Sequence, residues 1–362
     1  MAVSGGVDSM VAAHLLKAAG HDIFALHFLT GYETIDHPET ILSNYFNKLG
    51  VKFITVNLST PFQSHVVKYF ISTYARGQTP NPCVLCNARI KFGFLRAYAM
   101  KLGAEKIATG HYAQVVHSQT SCMLKKGIDT HKDQSYFLGL LSSKQLRSII
   151  FPLGQWLKGD VVNYAKDKGI DSLIQPESQE VCFIQGRYQD FLMGTGCIQQ
   201  KSGPIITTSG KKIGQHKGLH EFTIGQRRGI HCPGPYPYYV VQLDPHTNAL
   251  IVGNKEDLLT NHCLVHSINW INHPPKVPID IDVRIRYKTR AVKARLEPTF
   301  LNQAILYFDS KQSAVTPGQI AVFYQGDTVL GGGLIQGSRY RMFEKKLSDK
   351  YDISNFFGNA PE

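Results

Sequence analysis

The sequence predicts an α/β N-terminal domain built on a parallel sheet, then a small central domain, then a C-terminal antiparallel β-barrel. Three observations predict this. Strand and helix patterns alternate through the first half of the chain. The alternation fades after about residue 185 into short strands and turn signals. From about residue 263 to 337 the pattern is nearly all β. A strand–helix–strand order implies crossovers and parallel pairing. A small closed barrel is the usual way for a short β segment to manage its edges. At 362 residues the chain is too long for one ordinary core. The expected divisions are 1–185, 186–262 and 263–340, with a polar tail over 341–362.

The elements follow in order. Residues 22–29 (DIFALHFL) read as a buried strand and 38–49 as a helix stopped at Gly50. Residues 51–58 (VKFITVNL) form the next strand, and 61–75 a helix opened by Pro61. Residues 87–102 form a further helix ended by Gly103, and 106–108 lead into Thr109-Gly110-His111. Sites in parallel sheets lie at the carboxyl ends of the strands, which is where Gly110 and His111 fall. A lone His is more often structural, but its place at a strand end favours a functional role.

Apolar residues make up 43% and charged residues 18%, as in a soluble globular protein. No run approaches the length of a membrane helix, and no signal or transit sequence opens the chain. A cytoplasmic location is expected. The formal net charge of +12 fits a polyanionic partner, because Lys and Arg at phosphates release counterions.

Ser4-Gly5-Gly6-Val7-Asp8-Ser9 is a Gly-rich turn running into a helix pattern. Glycines let backbone N–H groups approach an anion, and the helix start adds a positive dipole end. Asp8 and Ser9 sit where side chains can cap the helix or hold Mg²⁺. No Gly-Lys-Ser/Thr follows, so this is not the kinase-type phosphate loop.

Seven cysteines in a long chain argue against a disulfide scaffold. Cys83 and Cys86 stand just before the expected helix at 87, behind the stiff Pro80 and Pro82. A thiol at a helix N-terminus has a stabilised thiolate, which favours Cys86 as a nucleophile or sulfur carrier. A zinc knuckle is the weaker reading, because no second pair of ligands occurs at zinc spacing. Cys122, Cys197, Cys232 and Cys263 match no motif and read as ordinary thiols.

The Ser4–Ser9 loop matches SGGxDS, the signature of the PP-loop ATP pyrophosphatases, which cleave ATP between the α and β phosphates. Only Met1-Ala2-Val3 precede it, so the first strand is unusually short or the start codon lies elsewhere. The motifs TPNPCVLCN (79–87), ATGHY (108–112), KDQSYFL (132–138) and VCFI (181–184) resemble the tRNA-specific 2-thiouridylases. So do GQRRG (225–229), TPGQ (316–319) and the glycines 331–333. These motifs occur in the family's order over about residues 2–337.

The resemblance implies ATP-dependent 2-thiolation of the tRNA wobble uridine. ATP, with Mg²⁺, adenylates the C2 oxygen and a cysteine persulfide delivers sulfur, releasing AMP and pyrophosphate. By resemblance Cys86 is the nucleophile, and Cys182 carries the persulfide and closes a transient disulfide with Cys86. Two thiols suit this chemistry, one to carry sulfur and one to release it. Ala2, Val3, Ser4, Gly5, Gly6, Val7, Asp8, Ser9, Phe28 and Gly110 would line the ATP site. Asn81, Pro82 and Cys83 would touch the target base. His111, Lys132, Asp133, Gln134, Arg286, Tyr287 and Gln319 would contact tRNA of the Lys, Glu and Gln types. A cysteine desulfurase or a relay protein would donate the sulfur.

Cys83 departs from the family, many members of which carry Asp there as a candidate acid/base. Either the base lies elsewhere or proton transfer is substrate-assisted. Cys83, Cys86 and Cys182 could alternatively hold an iron–sulfur cluster with one open iron.

Arg284, Arg286, Lys288 and Arg290 would share one face of a strand as a phosphate-binding stripe. Arg227 and Arg228, in a Gly-flanked turn, are a second candidate contact. Two competing functions are another PP-loop ligase, which needs no cysteine, and a non-enzymatic RNA-binding protein, which would release no AMP.

Overall fold

The structure is a computed structural model that describes residues 1–33, 38–118, 121–170, 181–234, 236–299 and 302–337. The expected tail at 341–362 lies outside them.

The N-terminal sheet is parallel, as expected. Strand β1 (Phe24–Leu29) pairs with β2 (Lys52–Asn57), and β3 (Ile107–Ala108) with the later strand β6 (Ile149–Ile150). Residues 1–3 run between these two pairs and join them. On one side Leu26 N donates to Met1 O and Val3 N to Leu26 O, each at 2.8 Å. On the other side Ala2 N donates to Ala108 O at 2.8 Å. The Met1 amine donates to Phe24 O at 2.8 Å, and burial lowers its pKa to about 6. Three residues therefore make the central strand. Its end, and those of β1 and β3, open on the same edge.

Side chains alternate across the strands, so each face builds its own core. Ala25 packs with α1 (Val7–Ala18), with Phe46 of α2 (Pro38–Lys48) and with Val161. Its neighbour Leu26 packs with Phe62, Tyr69, Val84, Leu85 and Ile90. The latter come from two helical runs, at 59–75 and 82–101.

Both runs differ from expectation at their starts. The first begins at Ser59 and contains the π-helical turn Gln63–Val67. The second begins at Pro82, five residues early, and contains the π-helical stretch Asn87–Leu95. Pro82 explains the early start: its fixed φ and missing N–H suit the first helical position. Cys83 and Cys86 therefore lie inside the helix rather than ahead of it. The buried Gln145 side chain donates to Ala88 O at 2.8 Å and Phe92 O at 2.9 Å, satisfying carbonyls along the π stretch.

The C-terminal barrel has six antiparallel strands: β11 (Leu259–Trp270), β12 (Ile279–Arg284), β13 (Val292–Pro298), β14 (Ala304–Ser313), β15 (Ile320–Gln325) and β16 (Thr328–Gly337). Their order is β11-β14-β13-β12-β15-β16, and β16 pairs back onto β11. Val265, Val283, Leu296, Leu306 and Phe323 fill the inside. The hairpin β4 (Ala113–His117) and β5 (Cys122–Lys126) comes from the N-terminal half, yet β5 pairs with β16. The central part is a four-stranded sheet, order β8 (Lys212–His216), β7 (Gly203–Thr207), β10 (Ala249–Gly253), β9 (Tyr239–Asp244). It has a small core around Ile205, Val240, Leu250 and Val252.

The expected four-charge stripe does not form. Strand β12 ends at Arg284, and 285–289 are bends and turns. Arg284 turns inward and pairs with the buried Asp133 at 2.9 Å. Arg286 is half-buried against Ala314 O and Thr316 Oγ1, while Lys288 and Arg290 stay exposed. Asp133 also accepts from Ser135 N at 3.0 Å and Gly127 N at 3.2 Å. This network ties the barrel to the N-terminal domain. Asp133→Ala leaves Arg284 without its carboxylate and is expected to cost about 3–5 kcal/mol of unfolding free energy in urea. The double variant Asp133→Ala/Arg284→Met should recover part of the loss.

Candidate active site

The phosphate loop is built by backbone. Gly5 has φ 83°, a conformation open to glycine, and Gly6 is extended at the N-cap of α1. Ser9 Oγ donates to Gly6 O at 2.9 Å and accepts from Ser4 N at 3.2 Å, closing the turn. Asp8 accepts from Tyr112 Oη and from Lys158 Nζ, both at 2.7 Å. Lys158 is itself placed by its backbone N–H, which donates to Asp129 Oδ2 at 2.9 Å. Sequence reasoning missed Tyr112 and Lys158 as partners of the loop. Tyr112 lies within the quoted ATGHY motif, but no short spacing marks Lys158.

Gly110 packs against this loop so closely that a Cβ would fall 2.7 Å from the Asp8 carbonyl carbon. Any side chain there would push the loop away. His111 follows, buried, with Nδ1 hydrogen-bonded to Thr109 Oγ1 at 2.7 Å and its ring between Phe92 and Phe151. Burial first, then the nearby Lys91 cation, hold its pKa well below the ordinary value. His111 is thus a neutral, enclosed imidazole.

The second helical run carries the thiols. Cys83 and Cys86 are both partly exposed and both free. Cys86 closes the short helix Pro82–Cys86 and does not stand at its start, so the expected dipole stabilisation of its thiolate is weak there. Burial pushes Cys86 up to about 12, against the downward pull of Lys91 and with further upward pushes from Cys182 and Cys83. Cys83 rises to about 11, by burial first and then by Cys182.

Cys182 is exposed, yet its neighbour Phe183 is buried. Phe183 packs against Tyr32, Phe62, Phe70 and Phe191 with ring centres 5.4–5.8 Å apart. This aromatic anchor fixes the Cys182 segment to the N-terminal domain. The Cys182 thiol is also raised by burial, with Lys91 pulling it down. Lys91 therefore acts on all three thiols and on His111. Sequence reasoning missed it. An α-helix would turn a residue five positions after Cys86 well off its face, but i→i+5 winding brings it round.

The other expected site residues fall as follows. Asn81 stands at the N-cap position of the thiol helix without a side-chain capping bond, and its side chain interacts with Tyr136 instead. Gln319 Nε2 donates to Thr79 O at 3.0 Å and Pro80 O at 3.2 Å, gripping the loop ahead of Cys83. Tyr287 lies 4.3 Å from the Phe137 ring. Gln134 Oε1 accepts from Tyr112 N at 3.0 Å, so Gln134 and Asp133 are spent on internal contacts. Lys132 is partly exposed, and Phe28 is partly buried near the end of β1. Arg227 and Arg228 are exposed, and Arg227 lines an open cavity with His231 and Tyr238. Among the described residues no group of three or more His, Cys, Asp or Glu could hold a metal ion. The three cysteines as placed do not fit an iron–sulfur cluster.

A glycine-built loop at the edge of a parallel sheet, opening into a helix, defines an α/β domain of the nucleotide-binding HUP class. Profiles of known families match accordingly: the tRNA methyl transferase HUP domain over residues 1–186, the tRNA methyl transferase PRC-barrel domain over 189–254, and the aminomethyltransferase beta-barrel domain over 260–335. The chain is 47% identical to the tRNA-specific 2-thiouridylase MnmA of Desulfosudis oleivorans, covering 92% of this chain and 93% of that protein. It is 41% identical to the MnmA of Halothermothrix orenii, covering 93% and 98%. The MnmA of Desulfotalea psychrophila is 40% identical, covering 92% and 98%. The chain belongs to the tRNA-specific 2-thiouridylase family.

Two measurements check the electrostatics. With Cys86 at about 12, its alkylation by iodoacetamide in the free protein should rise about tenfold per pH unit from 7 to 10 without levelling. A plateau below pH 9 would contradict the burial described. Lys91→Met should slow Cys86 alkylation at pH 8, and Lys91→Arg should restore it.

Proposed function

We propose that this protein uses ATP to replace the C2 oxygen of the tRNA wobble uridine with sulfur. The observation that carries the reading is the shared edge: the phosphate loop, Gly110 and His111 lie together, and Lys91 links His111 to the thiols of Cys83, Cys86 and Cys182.

Residues 2–9 with Gly110 would seat the triphosphate, and Asp8 with Lys158 would meet Mg²⁺ and the pyrophosphate. Phe28 would border the base. The uridine C2 oxygen attacks the α-phosphorus and pyrophosphate leaves. The terminal sulfur of a Cys182 persulfide then attacks C2 and AMP leaves with the electron pair. Cys86 attacks Cys182 Sγ and a Cys86–Cys182 disulfide forms. The bond to the delivered sulfur breaks, and that sulfur remains on the base as the thiocarbonyl.

Burial raises the Cys83 thiol to about 11, which disfavours it as the base. The departing AMP phosphate is the proton acceptor in this scheme. Asn81, Pro82 and Cys83 would border the base. His111, Lys132, Asp133, Gln134, Arg286, Tyr287 and Gln319 would form the tRNA side, with His111, Asp133 and Gln134 acting from within as supports. The substrates would be tRNAs of the Lys, Glu and Gln types, and a desulfurase or relay protein would supply the persulfide in the cytoplasm. Among the described residues no helix is long and apolar enough to cross a membrane.

The test is nucleoside mass spectrometry after incubation with ATP, tRNA and a persulfide donor. Cys86→Ser and Cys182→Ser should abolish 2-thiouridine while leaving pyrophosphate release intact. Asp8→Ala should abolish both. Unchanged wobble 2-thiouridine in cells lacking the gene, with no second enzyme, would refute the reading.

A further inference from the structure

The proposed cycle leaves Cys182 locked to Cys86, and it gives Cys83 no part. Yet Cys83 and Cys86 lie one helical turn apart in Pro82–Cys86. Residues three apart on a helix face each other at about 5–6 Å between Cβ atoms, and Cys-X-X-Cys pairs at such positions form redox disulfides. Cys182 lies close enough to act electrostatically on both. All three thiols are free, and Cys83 and Cys86 are accessible in part.

Resting on the reading above, we propose that Cys83 is a resetting thiol that attacks the Cys86 sulfur of the Cys86–Cys182 disulfide, freeing Cys182 for its next sulfur and leaving a Cys83–Cys86 disulfide in the helix. The exchange balances without an outside oxidant or reductant. The Cys83–Cys86 bond forms and the Cys86–Cys182 bond breaks. The electron pair of the broken bond leaves on Cys182, and the proton lost by Cys83 ends there. One disulfide enters and one remains. A dithiol reductant then opens Cys83–Cys86 before the next turnover.

Two features favour this direction. Attack needs the Cys83 thiolate; burial, the larger upward push, stays, but the further push from Cys182 disappears once Cys182 is held in a disulfide. The pull of Lys91 remains. The ring closed by Cys83–Cys86 is short and already ordered by the helix, so it adds little loop-closure cost. Cys182, by contrast, is tethered by its own anchor at Phe183 and gains freedom on release.

The experiment is a single turnover of the full-length protein. Cys182 is loaded from a persulfide donor, excess donor is removed, and ATP and tRNA are added. The reaction is quenched with acid and iodoacetamide, and disulfides are mapped by peptide mass spectrometry. Wild type should accumulate Cys83–Cys86 with Cys182 alkylated. Cys83→Ser should make one equivalent of 2-thiouridine and accumulate Cys86–Cys182, with multiple turnover slowed tenfold or more at limiting dithiol. Wild type that makes 2-thiouridine yet holds only Cys86–Cys182 overturns the resetting role.

A second arm needs no turnover. In a glutathione redox buffer, wild type should favour Cys83–Cys86 over Cys86–Cys182 by tenfold or more, and the reverse ratio overturns the proposal. Absence of 2-thiouridine with normal redox preference would count against the thiolation reading alone.

Discussion

Three residues hold the two halves of the N-terminal sheet together. The strand at 1–3 exchanges backbone hydrogen bonds with β1 on one side and reaches Ala108 on the other. Without it the pairs β1–β2 and β3–β6 would be separate ribbons, and isolated two-stranded ribbons are marginal in water. The same short strand leads directly into the Ser4–Ser9 loop at its end. The compensation is density. Gly110 presses on the loop from the next strand, and Tyr112 and Lys158 clamp Asp8 from outside the loop.

Electrostatics divide the site into a charged part and a neutral part. The Ser4–Ser9 loop is braced by the Asp8–Lys158 ion pair. In the thiol cluster the upward push of burial on Cys86 outweighs the pull of Lys91. A substrate that brings its own charges changes that balance on arrival. Burial favours the protonated form of all three thiols.

Much of this was legible in the sequence, because its signals are local. The strand–helix alternation, the loop at Ser4–Ser9 and the β-rich C-terminal third all rest on short-range patterns. The order of motifs carried the family. Failures occurred where distant residues meet. The run RIRYKTR has strand periodicity, but Arg284 turns in to Asp133, far away in the chain, and the strand stops there. Pro82 reads as a loop stiffener in the sequence, but in the structure it begins the helix. The π winding over Asn87–Leu95 changes which residues share a face, and no propensity scale registers it. Lys91 and Lys158 were invisible for the same reason: each acts across a contact rather than along a segment.

The barrel turn at Thr316–Gln319 holds the loop before Cys83. Thr79 N donates to Pro317 O at 2.9 Å, Gln319 takes Thr79 O and Pro80 O, and Gly318 lies so close that a Cβ would fall 2.9 Å from Thr79 O. Two parts of the chain about 240 residues apart thus share one piece of backbone geometry. Such an arrangement is a thermodynamic linkage. Whatever free energy a ligand on the barrel spends in shifting this turn is felt at the thiol helix, and an event at the thiols returns to the barrel with equal size. The barrel and the thiol helix are therefore coupled through one main-chain hydrogen bond and two from the Gln319 side chain, and a displacement of either is resisted by the other.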